Sequence, residues 1–320
     1  MTQRNTNIDI LKVVLAFMVI AGHLFPTNEI LSKTGMFYYY VNGFIRITIP
    51  IFLMISGYYF RNHINNREYL KKYGIRILKL FIVWQIIYLP IIISLYFKKQ
   101  VDLERVIYDI IYGTGHLWYL IAMAQAVILI YLTRKLSVKN KMILAFSILF
   151  IGYFFQFILA TEIVKNETIV YTNYIIGTTR NFLFFAFPFM LLGTLYDSWK
   201  TYVYKFRLLF IPLSILFFLE IAFYYSIQIL PLNIFFTTIP LSMIVLSHAL
   251  ERKKSLDIKI NSSLSLGIYL CHFYPVYFTI IKVQEVSLGF MMYKYAIVCI
   301  FTLIIWFILN RINKKIAIFF

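Results

Sequence analysis

Lys12 and His23 lie eleven residues apart in a run of apolar sequence. At about 100° per residue that is three helical turns, which puts both on one face about 16 Å apart along the axis. Asp9 falls within about 40° of the same face. An imidazole titrates near neutral pH and can take or return a proton, while the lysine supplies a fixed positive charge. Ionisable groups inside apolar segments are costly and turn toward a polar interior, so this stripe is either a reaction face or an interfacial pair whose long stems reach the membrane surface. Arg46 precedes Pro50 by four residues. Pro50 has no N–H to give the Arg46 carbonyl, so a kink with a freed acceptor is expected beside a guanidinium. In Gly113-Thr114-Gly115-His116-Leu117-Trp118-Tyr119 two glycines precede a His and a Trp. That spacing predicts backbone that is not regular helix, and a site shared by His116 and Trp118. An aromatic belt at the membrane surface is the plainer account of Trp118 and Tyr119 alone. Arg180-Asn181 opens another apolar run, and Tyr269, Cys271 and His272 sit within a further one. His63 and His248 read as peripheral. Cys271 and Cys299 both fall in apolar stretches and read as small packing residues.

The elements that must carry these groups follow from composition. The 320 residues are 61% hydrophobic and 14% charged, with a mean hydropathy of +0.79. A water-soluble fold would leave too much of that apolar surface uncovered, so lipid is the expected solvent. The net charge of +18 is carried in short clusters between apolar runs. A nucleic-acid face would instead gather its basic residues on one polar surface. A membrane span needs about 20 apolar residues, and ten candidates are present: 8–25, 36–60, 75–97, 110–132, 142–159, 174–196, 206–227, 232–250, 262–281 and 291–309. The first lacks a small-residue cleavage site and reads as a span, not a removed signal. With neither an interdomain linker nor a repeat, the expectation is one domain over 1–320, an all-α polytopic bundle.

Cytoplasmic segments carry the excess of Lys and Arg. Assigned to alternate flanks of the ten runs, 22 of the 31 basic residues fall on one side and 7 on the other, with Arg46 and Arg180 inside runs. Both termini are therefore expected in the cytoplasm. His23, Arg46, His116 and Arg180 then belong to the middle and outer membrane, with His272 nearer the middle, and one polar cavity would gather them. Lys12, Arg61, Lys72 and Arg76 would form a basic cytoplasmic mouth suited to phosphates.

Taken in order, several segments resemble the acyltransferase-3 family of bacterial integral-membrane O-acyltransferases. The segments are Arg4-Asn5 through Asn7-Ile8-Asp9-Ile10-Leu11-Lys12 to Gly22-His23, Arg46 to Gly57 (RITIPIFLMISG), Arg76 with its apolar run, His116 to Leu120, Arg180-Asn181-Phe182 through Phe189 to Gly193, and Ser265 to His272 (SLGIYLCH). The likeness covers the whole chain. It departs at Lys12, where the family usually has Arg, and at Tyr73-Gly74-Ile75-Arg76, where a paired-arginine motif is reduced and Lys71 and Lys72 are the possible substitutes. The resemblance implies about ten spans in the bacterial cytoplasmic (inner) membrane, with acetyl-CoA or another acyl-CoA as donor and no metal. It implies a glycan or lipid-linked glycan as acceptor. By the same resemblance Lys12, Lys72 and Arg76 hold the CoA phosphates and His23 is the general base. Arg46, His116 or Arg180 stabilises the oxyanion, and Trp118, Tyr269 and His272 face substrate. The sequence has no room for the periplasmic hydrolase-like domain of some relatives, so the membrane domain is expected to do the chemistry. Two other functions fit the same features: export of a polysaccharide or lipid-linked glycan, and small-molecule uptake of the kind performed by the membrane halves of certain bacterial amino-acid racemases.

Overall fold

The structure, a computed structural model, describes residues 5–24, 33–161, 163, 167, 179–227, 229, 232–252, 260–279 and 287–320. The ends of three expected spans, at 25, 174–178 and 280–281, and the basic residues Lys253, Lys254 and Lys259 lie outside the described residues. Among the described residues the chain is helical, with no strand. The helices are α1 Thr6–Leu24, α2 Lys33–Ile45, α3 Thr48–Phe60, α4 Arg67–Phe97, α5 Leu103–Tyr112, α6 Trp118–Thr133 and α7 Val138–Ala160. They continue with a π-turn at Phe182–Ala186, then α8 Phe187–Thr194, α9 Tyr196–Lys205, α10 Phe210–Ser226, α11 Thr238–Glu251, α12 Leu264–Cys271, α13 Phe273–Thr279 and α14 Leu288–Ile316. Several helix starts carry side-chain caps. Asn66 accepts from the Tyr69 N–H, Ser137 from Asn140 and Ser287 from Phe290, each satisfying a first-turn donor that the helix itself leaves unpaired.

Among the described residues six helical stretches are long and apolar enough to cross a membrane: Thr6–Leu24, Met36–His63, Arg67–Phe97, Val138–Ala160, Arg207–Ser226 and Leu288–Ile316. The count becomes seven if α8 and α9, bent by 82° at Leu195, are one broken span. These helices do not by themselves show the expected ten. The other apolar runs do form helices, but α6 and α11 are short and the 262–281 run is divided at His272. Pro275 has no N–H for the Cys271 carbonyl, which accounts for a break there. Arg46 and Ile47 interrupt the second run between α2 and α3, one turn before Pro50, as the missing proline donor predicts.

The chain divides into two compact units. The first comprises Met1–Phe52, Tyr202–Pro231 and Thr237–Phe320, and the second Leu53–Thr201 and Leu232–Phe236. In the first unit α1 packs on α12, α13 and α14 through Ala16, Ile20, Leu24, Ile268, Val276 and Val298. Small residues let helices approach: Gly22 faces Ile45, Gly43 faces Ile221, and the Trp306 indole lies directly on Gly267. In the second unit α3 and α8 cross backbone to backbone. A Cβ on Gly57 would stand 2.0 Å from the Met190 carbonyl oxygen, and one on Gly193 would stand 2.1 Å from that of Met54.

Candidate functional site

The first unit holds Lys12, His23, Arg46, Tyr269 and His272, and the second holds Lys72, Arg76, His116, Trp118 and Arg180. Within the first, the exposed His23 near the end of α1 meets the fully buried His272 at the α12–α13 break, with ring centroids 5.2 Å apart. The Phe273 ring also meets His23, nearly perpendicular to it at 6.1 Å. The His272 Nδ1 lies 2.7 Å from the Tyr269 carbonyl and 3.2 Å from that of Ile268. Carbonyls only accept, so Nδ1 carries the proton and Nε2 is the acceptor nitrogen of the neutral ring. The Tyr269 ring is buried 6.2 Å from the His272 ring. Sequence reading expected one cavity to gather His23 and His272 with Arg46, His116 and Arg180, and within the first unit the rings of His23 and His272 are in contact.

At the opposite end of α1, Lys12 pairs with the buried Asp9 at 2.8 Å, as their shared face implied. Near that end a largely apolar groove of about 750 Å³ opens between α1, α10 and α11, lined by Leu11, Val14, Ile211 and Ile244 with Arg207, His248 and Arg252. His248, read as peripheral, is one of its walls. Arg46 is half-buried at the α2–α3 break.

In the second unit, Gly113 and Gly115 adopt φ of +108° and +57°, a backbone open to glycine, so the predicted irregular segment is present. Gln85 of α4 holds it. Its Nε2 donates to the Thr114 hydroxyl at 2.9 Å and to the Asp109 carbonyl at 3.0 Å, and its Oε1 accepts from the Thr114 N–H. His116 is buried edge-on against Tyr88 at 5.5 Å. Trp118 is half-buried and meets Phe185 at 5.8 Å. Arg180 is exposed and donates through Nε to the Asn233 Oδ1 at 2.7 Å. On α4, Lys72 and Arg76 are exposed. Arg61, expected beside them in the basic mouth, is instead neutralised by Asp197 at 2.9 Å. Lys200 binds the other oxygen of Asp197 at 2.9 Å, and hydrogen bonds from Lys200 and Arg61 hold that carboxyl below its ordinary pKa.

Three groups that sequence reading passed over organise backbone, two in the second unit and one in the first. Gln156, within α7, is 6% exposed, and its Oε1 accepts from the Asn233 and Ile234 N–H groups at 3.0 and 3.1 Å. Asn233 donates through Nδ2 to the Thr179 hydroxyl at 3.0 Å. In the first unit Glu220, inside the apolar α10, accepts from the N–H of Thr237 at 3.0 Å and from its hydroxyl, closing the start of α11. An acidic residue in an apolar run is a signal that was available; a lone amide is a weaker one.

The family model described as an acyltransferase domain matches residues 5–311. Among curated proteins the chain is 28% identical over 311 residues to a serine/alanine racemase of Enterococcus gallinarum, covering 89% of this chain and 43% of that protein. It is 30% identical over 166 residues to an amino-acid racemase of Enterococcus faecalis, covering 46% of this chain and 22% of that protein. The chain thus spans less than half the length of these relatives. No solved structure matches it.

Proposed function

The chain belongs to the acyltransferase-3 family, and from that premise we propose that it is a membrane O-acyltransferase with His23 as general base. In this reading acyl-CoA, acetyl-CoA first, approaches from the cytoplasm and the acceptor is a hydroxyl of a cell-surface or lipid-linked glycan. The observation that carries it is the exposed His23 imidazole at the end of an apolar helix, braced by the buried His272 ring 5.2 Å away. A histidine so placed is reachable by substrate and fixed in orientation by its neighbours, which is what a general base requires.

His23 takes the proton of the acceptor hydroxyl as its oxygen attacks the thioester carbonyl carbon. The tetrahedral oxyanion is met by Arg46, the arginine at the broken helix of the same unit. The C–S bond then breaks, the new ester is released, and His23 returns the proton to the CoA sulfur. Lys72 and Arg76, exposed on α4, supply phosphate contacts. Lys12 does so together with Asp9, whose carboxylate sets its direction and offsets its charge.

The test is acetyl transfer by purified protein in nanodiscs, with mass analysis of surface polysaccharide and lipid-linked glycan from cells with and without it. His23→Ala is expected to lower transfer by about 100-fold or more at unchanged expression and melting temperature. Undiminished acylation in that variant would remove His23 from its role.

A second reading is favoured by the two relatives named as racemases, because the chain matches less than half of each. In it the chain is a small-molecule uptake unit. Proteoliposomes that accumulate radiolabelled L-serine while neither binding nor cleaving acetyl-CoA would establish this second reading and exclude the first.

A further inference from the structure

Arg180 is held by a relay of amides. Its Nε donates to the Asn233 side chain, whose own amide donates to Thr179. The backbone of Asn233 and Ile234 is fixed in turn by both ends of the buried Gln156 side chain: Oε1 takes the two N–H groups, and Nε2 donates to the Ile234 carbonyl. A buried amide that satisfies three backbone groups has little freedom to move, since each broken bond would leave a polar group unpaired in an apolar interior. The relay uses only the Nε of Arg180. The two terminal amines, the prongs of the guanidinium fork, take no part in it, and among the described residues no carboxylate pairs with them.

A second guanidinium stands nearby. Arg105 of α5 binds Asp109 at 3.0 Å and lies over the Tyr108 ring, 5.4 Å from its centroid. Arg180 lies within electrostatic range of both Arg105 and the Tyr108 hydroxyl. Asp109 therefore answers the charge of Arg105, and no carboxylate among the described residues answers that of Arg180. Like charges held close by a rigid scaffold are costly unless an anion sits with them, and guanidinium forks match the paired oxygens of carboxylate and phosphate. All of these groups belong to the second unit.

We propose that Arg105 and Arg180, with the Tyr108 hydroxyl, anchor an anionic group of the acceptor, so that the chain acts on an acidic glycan or on a phosphate-bearing lipid-linked glycan. This rests on the acyltransferase reading for the word acceptor; the anion site itself does not. Arg180 is then a substrate-binding residue, and Gln156 and Asn233 are the residues that position it.

Full-length protein in nanodiscs is titrated with glucuronate, glucose 1-phosphate and glucose, and binding is read by saturation-transfer NMR. One or both anionic sugars are expected to bind at least 10-fold more tightly than glucose, and the stronger of the two identifies the natural group as carboxylate or phosphate. Arg180→Gln and Arg105→Gln are each expected to abolish that preference, and Arg180→Lys, which keeps the charge without the fork, to retain part of it. Acetyl-CoA binding is expected to be unchanged in all three, which also shows that they are folded. Equal binding of glucose and both anions, or an anion preference that survives Arg180→Gln, would overturn the proposal. Absence of acetyl-CoA binding in the wild type would instead overturn the acyltransferase reading and leave the anion result standing.

Discussion

Asp109 is a buried carboxyl beside Arg105, and burial pushes its pKa up from 3.8 to about 6, with the Arg105 charge and hydrogen bond opposing the rise. The folded state therefore keeps this proton at pH values where the unfolded chain has released it. Its contribution to stability is largest below pH 3.8 and is lost as pH rises through about 6. The same proton governs the proposed anion site. Below about pH 6 Asp109 is neutral and no longer offsets Arg105, so the field from Arg105 and Arg180 near Tyr108 and Tyr112 grows more positive. Glucuronate, ionised throughout, is expected to bind several-fold more tightly at pH 5 than at pH 8. Asp109→Asn should hold the pH 5 affinity at both values, and equal pH dependence in wild type and variant would separate Asp109 from the site. Searching apolar sequence for charged groups singles out His23, Arg46, His116 and Arg180 as candidates. It was blind to Gln85, Gln156 and Asn233, because an amide weighs little in hydropathy and its value lies in which backbone groups it meets after folding. Gln156→Leu tests that value. It fills much the same volume but leaves the N–H groups of Asn233 and Ile234 without their acceptor, and is expected to cost about 2–3 kcal/mol in thermal unfolding and to weaken glucuronate binding, whereas Gln156→Glu retains the acceptor and should restore part of both.

Each of the ten apolar runs legible in the sequence contains helix, yet among the described residues six stretches, or seven with the bent pair, are long enough to cross a membrane. The shortfall has a physical pattern. Residues 113–117 precede the short α6, a π-turn capped by Asn181 precedes α8, Asn233 to Thr237 precede the short α11, and His272 divides α12 from α13. A hydropathy average over twenty residues cannot register a break of a few residues, although the glycines and Pro275 mark two of these four. Irregular backbone at membrane depth is tolerated where protein buries it or where it lines a cavity, so the breaks fall beside the residues read as functional. The α3–α8 crossing depends on the absence of two side chains, a dependence invisible until the helices are in place. Gly57→Ala or Gly193→Ala would drive a methyl into a carbonyl oxygen and force the helices apart, with an expected cost of about 3 kcal/mol or more. Gly74→Ala, in the interior of α4 with nothing within 4 Å, is the control and should be neutral or stabilising. Thermal unfolding in detergent, followed by size-exclusion fluorescence, separates the two cases. A Gly57→Ala protein that melts with the wild type would mean that the crossing is looser than its backbone contact implies.

At the scale of the whole molecule, a cytoplasmic donor can reach an outer acceptor only if the two ends of the bundle face different compartments. The distribution of Lys and Arg bears on this because translocating a cation-rich loop is unfavourable, and the basic residues fall 22 against 7 on alternate flanks of the ten runs. The four runs whose helices are short or broken do not weaken that count, provided each still carries the chain across; a re-entrant pair would invert every loop between its two members. Gln100, Lys139 and Lys314 are exposed at widely separated points of the chain and distinguish these arrangements. Cys271 is buried and Cys299 half-buried, so the native background for a bulky maleimide is low. In intact cells Gln100→Cys is expected to react with an impermeant maleimide, while Lys139→Cys and Lys314→Cys react only after permeabilisation. Labelling of Lys139→Cys from outside would place α6 in a re-entrant hairpin and invert the loops that follow it, so the alternation of basic residues would no longer describe the chain beyond α5.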